Sequence, residues 1–221
     1  MTPETQIIRC VMPNVDKRIV DAQTRVLHKL MPSDFTLHTV VPLGGWSTSG
    51  ESHARMLNRG LRARADVHIL MDVDCIPLSA RLLEDARDIA AGGWLFGHAS
   101  FSAHIGDGTH RFVGPDFLAI SDNTYTALGR PSLVPTPRGD VAEELTWRAE
   151  ELDVDVLRLL AQRCDEPAPW SGDTKFGFGT WFGHGPRKLT SYHMYGAREA
   201  TEARIRRFVK ICDEVISHHE S

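Results

Sequence analysis

The sequence predicts an α/β fold: a mainly parallel sheet with helices on both faces. Three observations carry that prediction. Short apolar runs, Ile7–Met12 (IIRCVM) and Val67–Met71 (VHILM), have the length and content of buried strands. Stripes of helical period lie between such runs. Up to residue 91 the order strand–helix is repeated three times, which places helices over a parallel sheet.

Taken in order, Ile7–Met12 ends at Pro13, and Asn14 or Asp16 can cap the helix that follows. That helix carries Ile19, Ala22, Val26, Leu27 and Leu30 on one face, interrupted only by Gln23, and Pro32 stops it. Phe35–Val41 reads as the second strand, and Leu43–Gly50 (LGGWSTSG) as a loop. Ala54, Leu57 and Leu61 mark the next helix. After Val67–Met71, Ser79 can cap a helix with Leu82, Leu83, Ala86, Ile89 and Ala90 inward. The second half is less periodic. Phe117–Ile120 is strand-like, Asn123–Leu128 a short helix, Val141–Leu152 a helix and Val154–Leu160 a strand. Glu166–Gly185, rich in glycine, proline and aromatics, reads as a long shaped loop. A last helix covers about 200–217, with Ala203, Phe208, Ile211, Cys212 and Val215 inward. No composition break marks a linker, so one domain is expected over residues 1–221.

The 221 residues are 42% hydrophobic, with 25 Lys+Arg against 29 Asp+Glu. That composition excludes a disordered chain, a fibre and a dedicated polybasic nucleic-acid binder. No apolar run approaches the ~20 residues that cross a bilayer, and Met1–Thr5 does not resemble a secretory leader. Cys10, Cys75, Cys164 and Cys212 are scattered, as expected of reduced thiols in a cytoplasmic protein.

The chemistry is concentrated in Ala65–Pro77 (ADVHILMDVDCIP). In an extended segment residues two apart project to one side, so Asp72 and Asp74 point together at the end of an apolar strand. Open α/β sheets bind ligands beyond the carboxyl ends of their strands. Two acids there repel unless something positive joins them. Mg²⁺ or Mn²⁺ with a diphosphate completing its shell suits that position, whereas an ordinary solvated turn is the plainer alternative.

The segment Gly50–Leu83, with Ala54, Arg55, Asn58 and Gly60 before the strand and Asp72 and Asp74 after it, resembles the donor half of GT-A glycosyltransferases, especially the family 2-like enzymes. The resemblance covers about residues 7–90 and is thinner beyond. It implies a Rossmann-like GT-A fold, with about 1–100 as the nucleotide-sugar half and about 101–221 as the acceptor half. Asp72 would hold ribose or metal, Asp74 the metal, and Met12, Pro13 and Asn14 would lie beside the nucleotide. Arg55 would pair with a phosphate or ribose, or stand as a surface arginine. Gly139–Arg148 (GDVAEELTWR) is similar to the acceptor-side acidic motif, making Asp140 the general base, with Glu143 and Glu144 as rivals and helix capping as the plain role of Asp140. Leu189–Arg198 (LTSYHMYGAR) is similar to the late segment that returns a histidine to the metal. This implies His193 as third ligand and Arg198 beside the leaving diphosphate.

The implied function is metal-dependent transfer of a sugar from a nucleoside-diphosphate donor, UDP-linked, to a soluble hydroxyl acceptor with inversion, in a bacterial or phage-infected cytoplasm. Compact enzymes of this kind include phage types that glycosylate hydroxymethylated bases in DNA, an alternative that would use the basic residues Arg204, Arg206, Arg207 and Lys210. A haloacid-dehalogenase-like phosphatase also uses two acids after an apolar strand, but Ile76 stands where such enzymes carry Thr or Val. A nucleotidyltransferase would want a glycine-rich basic loop near the first strand, and a non-catalytic sugar-nucleotide module would bind without turnover. His98, His104 and His110 read as surface or loop histidines, and Lys175–Gly185 as a lid or a packed loop.

Overall fold

The computed structural model describes residues 2–42, 50–101, 110–167 and 174–219. Residues 43–49 of the expected loop Leu43–Gly50, His104 and the middle of the 166–185 stretch lie outside them, while Gly50 itself opens a helix. The elements run β1 (Thr5–Cys10), α1 (Lys17–Leu30), β2 (Phe35–Val40), α2 (Gly50–Gly60), β3 (Val67–Asp72), β4 (Cys75–Pro77), α3 (Ala80–Ala91), β5 (Leu95–Phe101), β6 (Arg111–Ser121), α4 (Asp122–Ala127), α5 (Glu143–Glu151), β7 (Val156–Pro167), β8 (Gly177–Gly183), β9 (Leu189–His193), a 3₁₀ turn (Ala197–Glu199) and α6 (Glu202–His218). The chain divides into two compact units. One holds Met1–Cys10, Ser33–Asp72 and Asp85–Leu159; the other holds Val11–Pro32, Val73–Glu84 and Leu160–Ser221.

In the first unit β1 lies between β2 and β3, parallel to both, with Cys10 opposite Val40 on one side and Asp72 on the other. Next to β3 the pattern changes. β6 runs antiparallel to β3 and to β5, and β5 resumes parallel pairing with the start of β7, from Leu95 opposite Val156. The sheet is therefore mixed, with β2, β1 and β3 from the strand–helix alternation of the first 72 residues forming one parallel part and β5 with β7 another. Ile7, Ile8, Ile69, Leu70, Phe96 and Phe117 are fully buried, each such side chain stabilising the fold by about 1.5–3 kcal/mol relative to exposure. Gly60 has a packing role: a Cβ there would stand 2.4 Å from Ile8 Cγ2, so the helix reaches β1 because this residue has no side chain. Asn58 fastens the same helix to the following loop, its Nδ2 donating to Ser132 Oγ and its Oδ1 accepting the Leu133 N–H.

The second unit has its own core, in which Ile19, Ala22, Val26 and Leu30 of α1 meet Ile205, Phe208, Ile211, Cys212 and Val215 of α6, with Ile76 and Tyr192 among them. Asp16 caps α1, and Arg18 beside it holds that carboxyl down to about 2. Gln23, the one polar residue on the apolar stripe, is fully buried because its Nε2 donates to the Cys75 carbonyl at 2.7 Å. Two expectations change here. Ala203 is exposed, and Ile205 takes the inward position. Gly177–Gly183 is a strand, β8, paired antiparallel to β7 and β9, rather than part of a loop. None of the four cysteines, all among the described residues, is in a disulfide.

Candidate metal centre

The apolar strand β3 delivers Asp72 at its carboxyl end. Within the first unit that carboxylate meets His53 of α2, whose Nε2 lies 3.1 Å from Asp72 Oδ1. Burial disfavours the charged imidazole, but the Asp72 charge, with hydrogen bonds to Asp72 and the Cys10 thiol, outweighs it and raises His53 to about 10. Burial in turn pushes the Cys10 thiol up, so the group beside His53 is a thiol rather than a thiolate at neutral pH.

Asp74 follows after the buried Val73 and is itself 4% exposed. The pairing of β4 with β9 sets Cys75 opposite His193, and His193 Nε2 lies 3.1 Å from Asp74 Oδ1. Beyond β9 the chain makes an unusual turn. Tyr195 (φ 59°) and Gly196 (φ 72°) are both left-handed, a conformation that costs a residue bearing a Cβ roughly 1–2 kcal/mol. The turn brings the Ala197 N–H to Asp74 Oδ2 at 3.2 Å, while the Met194 N–H donates to the Asp74 carbonyl at 2.9 Å. Both carboxylate oxygens of Asp74 thus have partners inside the protein.

Asp74 and His193 of the second unit each offer a ligand atom, 3.1 Å apart, and Asp72, two residues before Asp74 in the chain, offers a second carboxylate. The Cys75–His193 register is what brings His193 to Asp74. Two hard oxygens and a borderline imidazole nitrogen are the donor set that Mn²⁺ accepts, with Mg²⁺ less suited to the nitrogen.

A second cluster lies in the first unit. Glu143, 2% exposed, places Oε1 2.6 Å from His110 Nδ1 and accepts the Asp140 N–H on Oε2 at 2.8 Å. Gly139 permits this fold-back, because a Cβ there would meet the Glu143 side chain at 3.0 Å. His110 also approaches Glu150 (3.2 Å) and stacks on Trp147, ring centroids 3.6 Å apart. Asp140 is half-buried, and its Oδ1 accepts the Val141 N–H. Glu144 is held by Arg138 and Arg148.

The remaining expected site residues are placed as follows. Met12 is buried and accepts the Val15 N–H in a turn that leaves Pro13 and Asn14 exposed. Arg55 is paired with Glu51 at 2.6 Å on the surface of α2. Arg198 lies on the exposed 3₁₀ turn. His98 is not a surface residue: it is wholly buried on β5, its Nδ1 2.6 Å from Asp116 Oδ2. Sequence reasoning also passed over His53. The available signal was its place on the stripe His53–Leu57–Gly60, the i, i+4, i+7 face that packs on the sheet before the acidic strand. Tyr195 carried no such signal, because a left-handed tyrosine is set by tertiary structure.

The mixed sheet with its helices is a GT-A-like, nucleotide-diphospho-sugar transferase fold. Among solved structures the chain is similar to the mannosyltransferase PcManGT from Pyrobaculum calidifontis in complex with GDP-Man and Mn²⁺, at 12% identity and TM-score 0.52, over 72% of this chain and 55% of that one. It is also similar, at 14% identity and TM-score 0.49 over 70% of this chain and 63% of that one, to the catalytic domain of Drosophila β1,4-galactosyltransferase 7 with xylobiose. The chain therefore spans only about half to two thirds of the length of these structures. No protein-family model and no curated protein matches the sequence. No helix among the described residues is long and apolar enough to cross a membrane.

Proposed function

We propose that this protein is a metal-dependent glycosyltransferase that moves a sugar from a nucleoside-diphosphate donor, UDP-linked, to a hydroxyl acceptor with inversion. The observation that carries the reading is the Asp74–His193 pair of the second unit, with Asp72 two residues before Asp74 in the chain, on a fold shared with a sugar-nucleotide-binding mannosyltransferase. These three residues would hold Mn²⁺ or Mg²⁺, which when bound supplies positive charge for a departing diphosphate. His53, whose Nε2 lies 3.1 Å from Asp72 Oδ1, would orient that carboxylate on the donor side. Met12, Pro13, Asn14 and Arg55 would contribute to the donor pocket, and Arg198 would pair with the diphosphate.

Asp140 would accept the proton of the attacking hydroxyl. What supports it is its place: Asp140 is half-buried at the junction of the loop and the helix Glu143–Glu151, just before the acids Glu143 and Glu144. The DNA-modifying alternative draws no support from the last helix. Arg204 pairs with Glu166, Arg206 with Glu202, Arg207 with Asp165 and Lys210 with Glu214, so its positive charge is largely compensated within the second unit.

The test is thermal shift with Mn²⁺ across UDP-, GDP- and TDP-sugars, followed by release of nucleoside diphosphate with and without EDTA. Donor-dependent stabilisation that disappears in Asp74→Ala and in EDTA is expected. Stabilisation unchanged in Asp74→Ala refutes the site, and release of inorganic phosphate in place of nucleoside diphosphate points to a phosphatase.

A further inference from the structure

We infer that Tyr195 is a positioning residue for the metal site: its ring fixes the imidazole of His193, and its left-handed backbone starts the turn that fastens Asp74. The inference rests on the metal-site reading above and adds to it a residue that binds nothing itself.

Three observations converge on Tyr195, all within the second unit. Its ring centroid lies 3.6 Å from that of His193 at an interplanar angle of 40°, the same separation as the His110–Trp147 stack. Phe176 also packs on the Tyr195 ring, centroids 4.9 Å apart. A tilted contact this close limits rotation of the imidazole about χ2, a torsion that is otherwise broad for histidine. His193 is 2% exposed and has its Nε2 on Asp74, so ring orientation decides where that nitrogen's lone pair points when a cation replaces the proton.

The backbone supplies the other half. Tyr195 and Gly196 are successive left-handed residues, and the next N–H, that of Ala197, reaches Asp74 Oδ2. Glycine or asparagine would adopt this conformation more easily. A tyrosine held there indicates that the ring does something neither of those could do, and the ring's nearest aromatic neighbour is the candidate ligand. Groups that orient a ligand typically change metal affinity 10–100-fold when removed.

The experiment is titration of the full chain with Mn²⁺ alone, followed by loss of the free-ion electron paramagnetic resonance signal, with metal-free melting measured in parallel. Tyr195→Phe keeps the ring and is expected to bind Mn²⁺ as the wild type does. Tyr195→Asn and Tyr195→Gly keep or ease the left-handed backbone but lose the ring, and are expected to bind about 10-fold or more weakly. Two such variants guard against one failing to fold, and glycine removes the backbone cost altogether. Wild-type affinity in a folded Tyr195→Asn or Tyr195→Gly protein overturns the inference while the site stands, provided Asp74→Asn abolishes binding. Equal Mn²⁺ binding in wild type and Asp74→Asn, or none in the wild type, overturns the metal site and this inference with it.

Discussion

Replacing Glu143 by alanine tests whether the second cluster is a built feature. The side chain is nearly inaccessible and ends on two donors, His110 Nδ1 at 2.6 Å and the Asp140 N–H at 2.8 Å. Truncation leaves both without an acceptor, at about 1–3 kcal/mol for each group that water cannot reach. His110 retains Glu150 and is partly exposed, so its share falls at the low end. With the lost methylene burial at ~0.8 kcal/mol, the total is about 3 kcal/mol. For a chain of this length that corresponds to a fall in Tm of about 6–12 °C. Glu144→Ala is the control: its partners Arg138 and Arg148 are 43% and 49% exposed, and such pairs contribute about 0–1 kcal/mol. Glu143→Gln should fall between, because an amide oxygen can still accept the Asp140 N–H. Thermal unfolding followed by circular dichroism reads all three. A Glu143→Ala protein melting within about a degree of wild type, or no lower than Glu144→Ala, refutes the reasoning.

Gly60→Ala forces a methyl to 2.4 Å from Ile8 Cγ2, an overpacking of about 1–3 kcal/mol only partly offset by alanine's ~1 kcal/mol helix preference; a lowered urea midpoint is expected. His68 is fully buried with neither ring nitrogen hydrogen-bonded, and burial lowers its pKa against the opposing pull of Asp122 3.7 Å away. The unfolded chain therefore takes up a proton below about pH 6.5 that the native state refuses. Stability falls on acidification from there with a slope of up to about 1.4 kcal/mol per pH unit, until the native pKa is passed. In His68→Leu that component of the pH dependence should vanish; an unchanged profile by urea titration at several pH values contradicts the assignment. Asp140→Asn should bind donor as the wild type does and transfer sugar 10²–10⁴-fold more slowly; normal turnover moves the base elsewhere.

Much of the chain up to residue 91 could be read from local pattern. The run VHILM and the stripes of α1 and α2 need only nearest neighbours along the chain to declare themselves. The strands that escaped notice depend on partners far away. β4 is three residues long and exists through β9, β8 is glycine-rich and is ordered between β7 and β9, and β5 carries a histidine whose buried position makes sense only with Asp116 beside it. The site divides the same way. The two acids declared themselves by spacing, whereas His193 needed the family resemblance. His53 and Tyr195 gain meaning from contacts that bridge about 20 residues in one case and a strained turn in the other.

The Cys75–His193 register has an evolutionary corollary. Side chains alternate across a sheet, so sliding β9 by one position would present Tyr192 or Met194 where the imidazole now stands and turn the imidazole to the opposite face. Length changes of a single residue between Asp74 and Pro77, or along Leu189–Ala197, should therefore be purged by selection, while the reverse bend His184–Lys188 can grow or shrink at little cost. Anyone wishing to splice a reporter or a binding peptide into this chain has that bend as a place to begin.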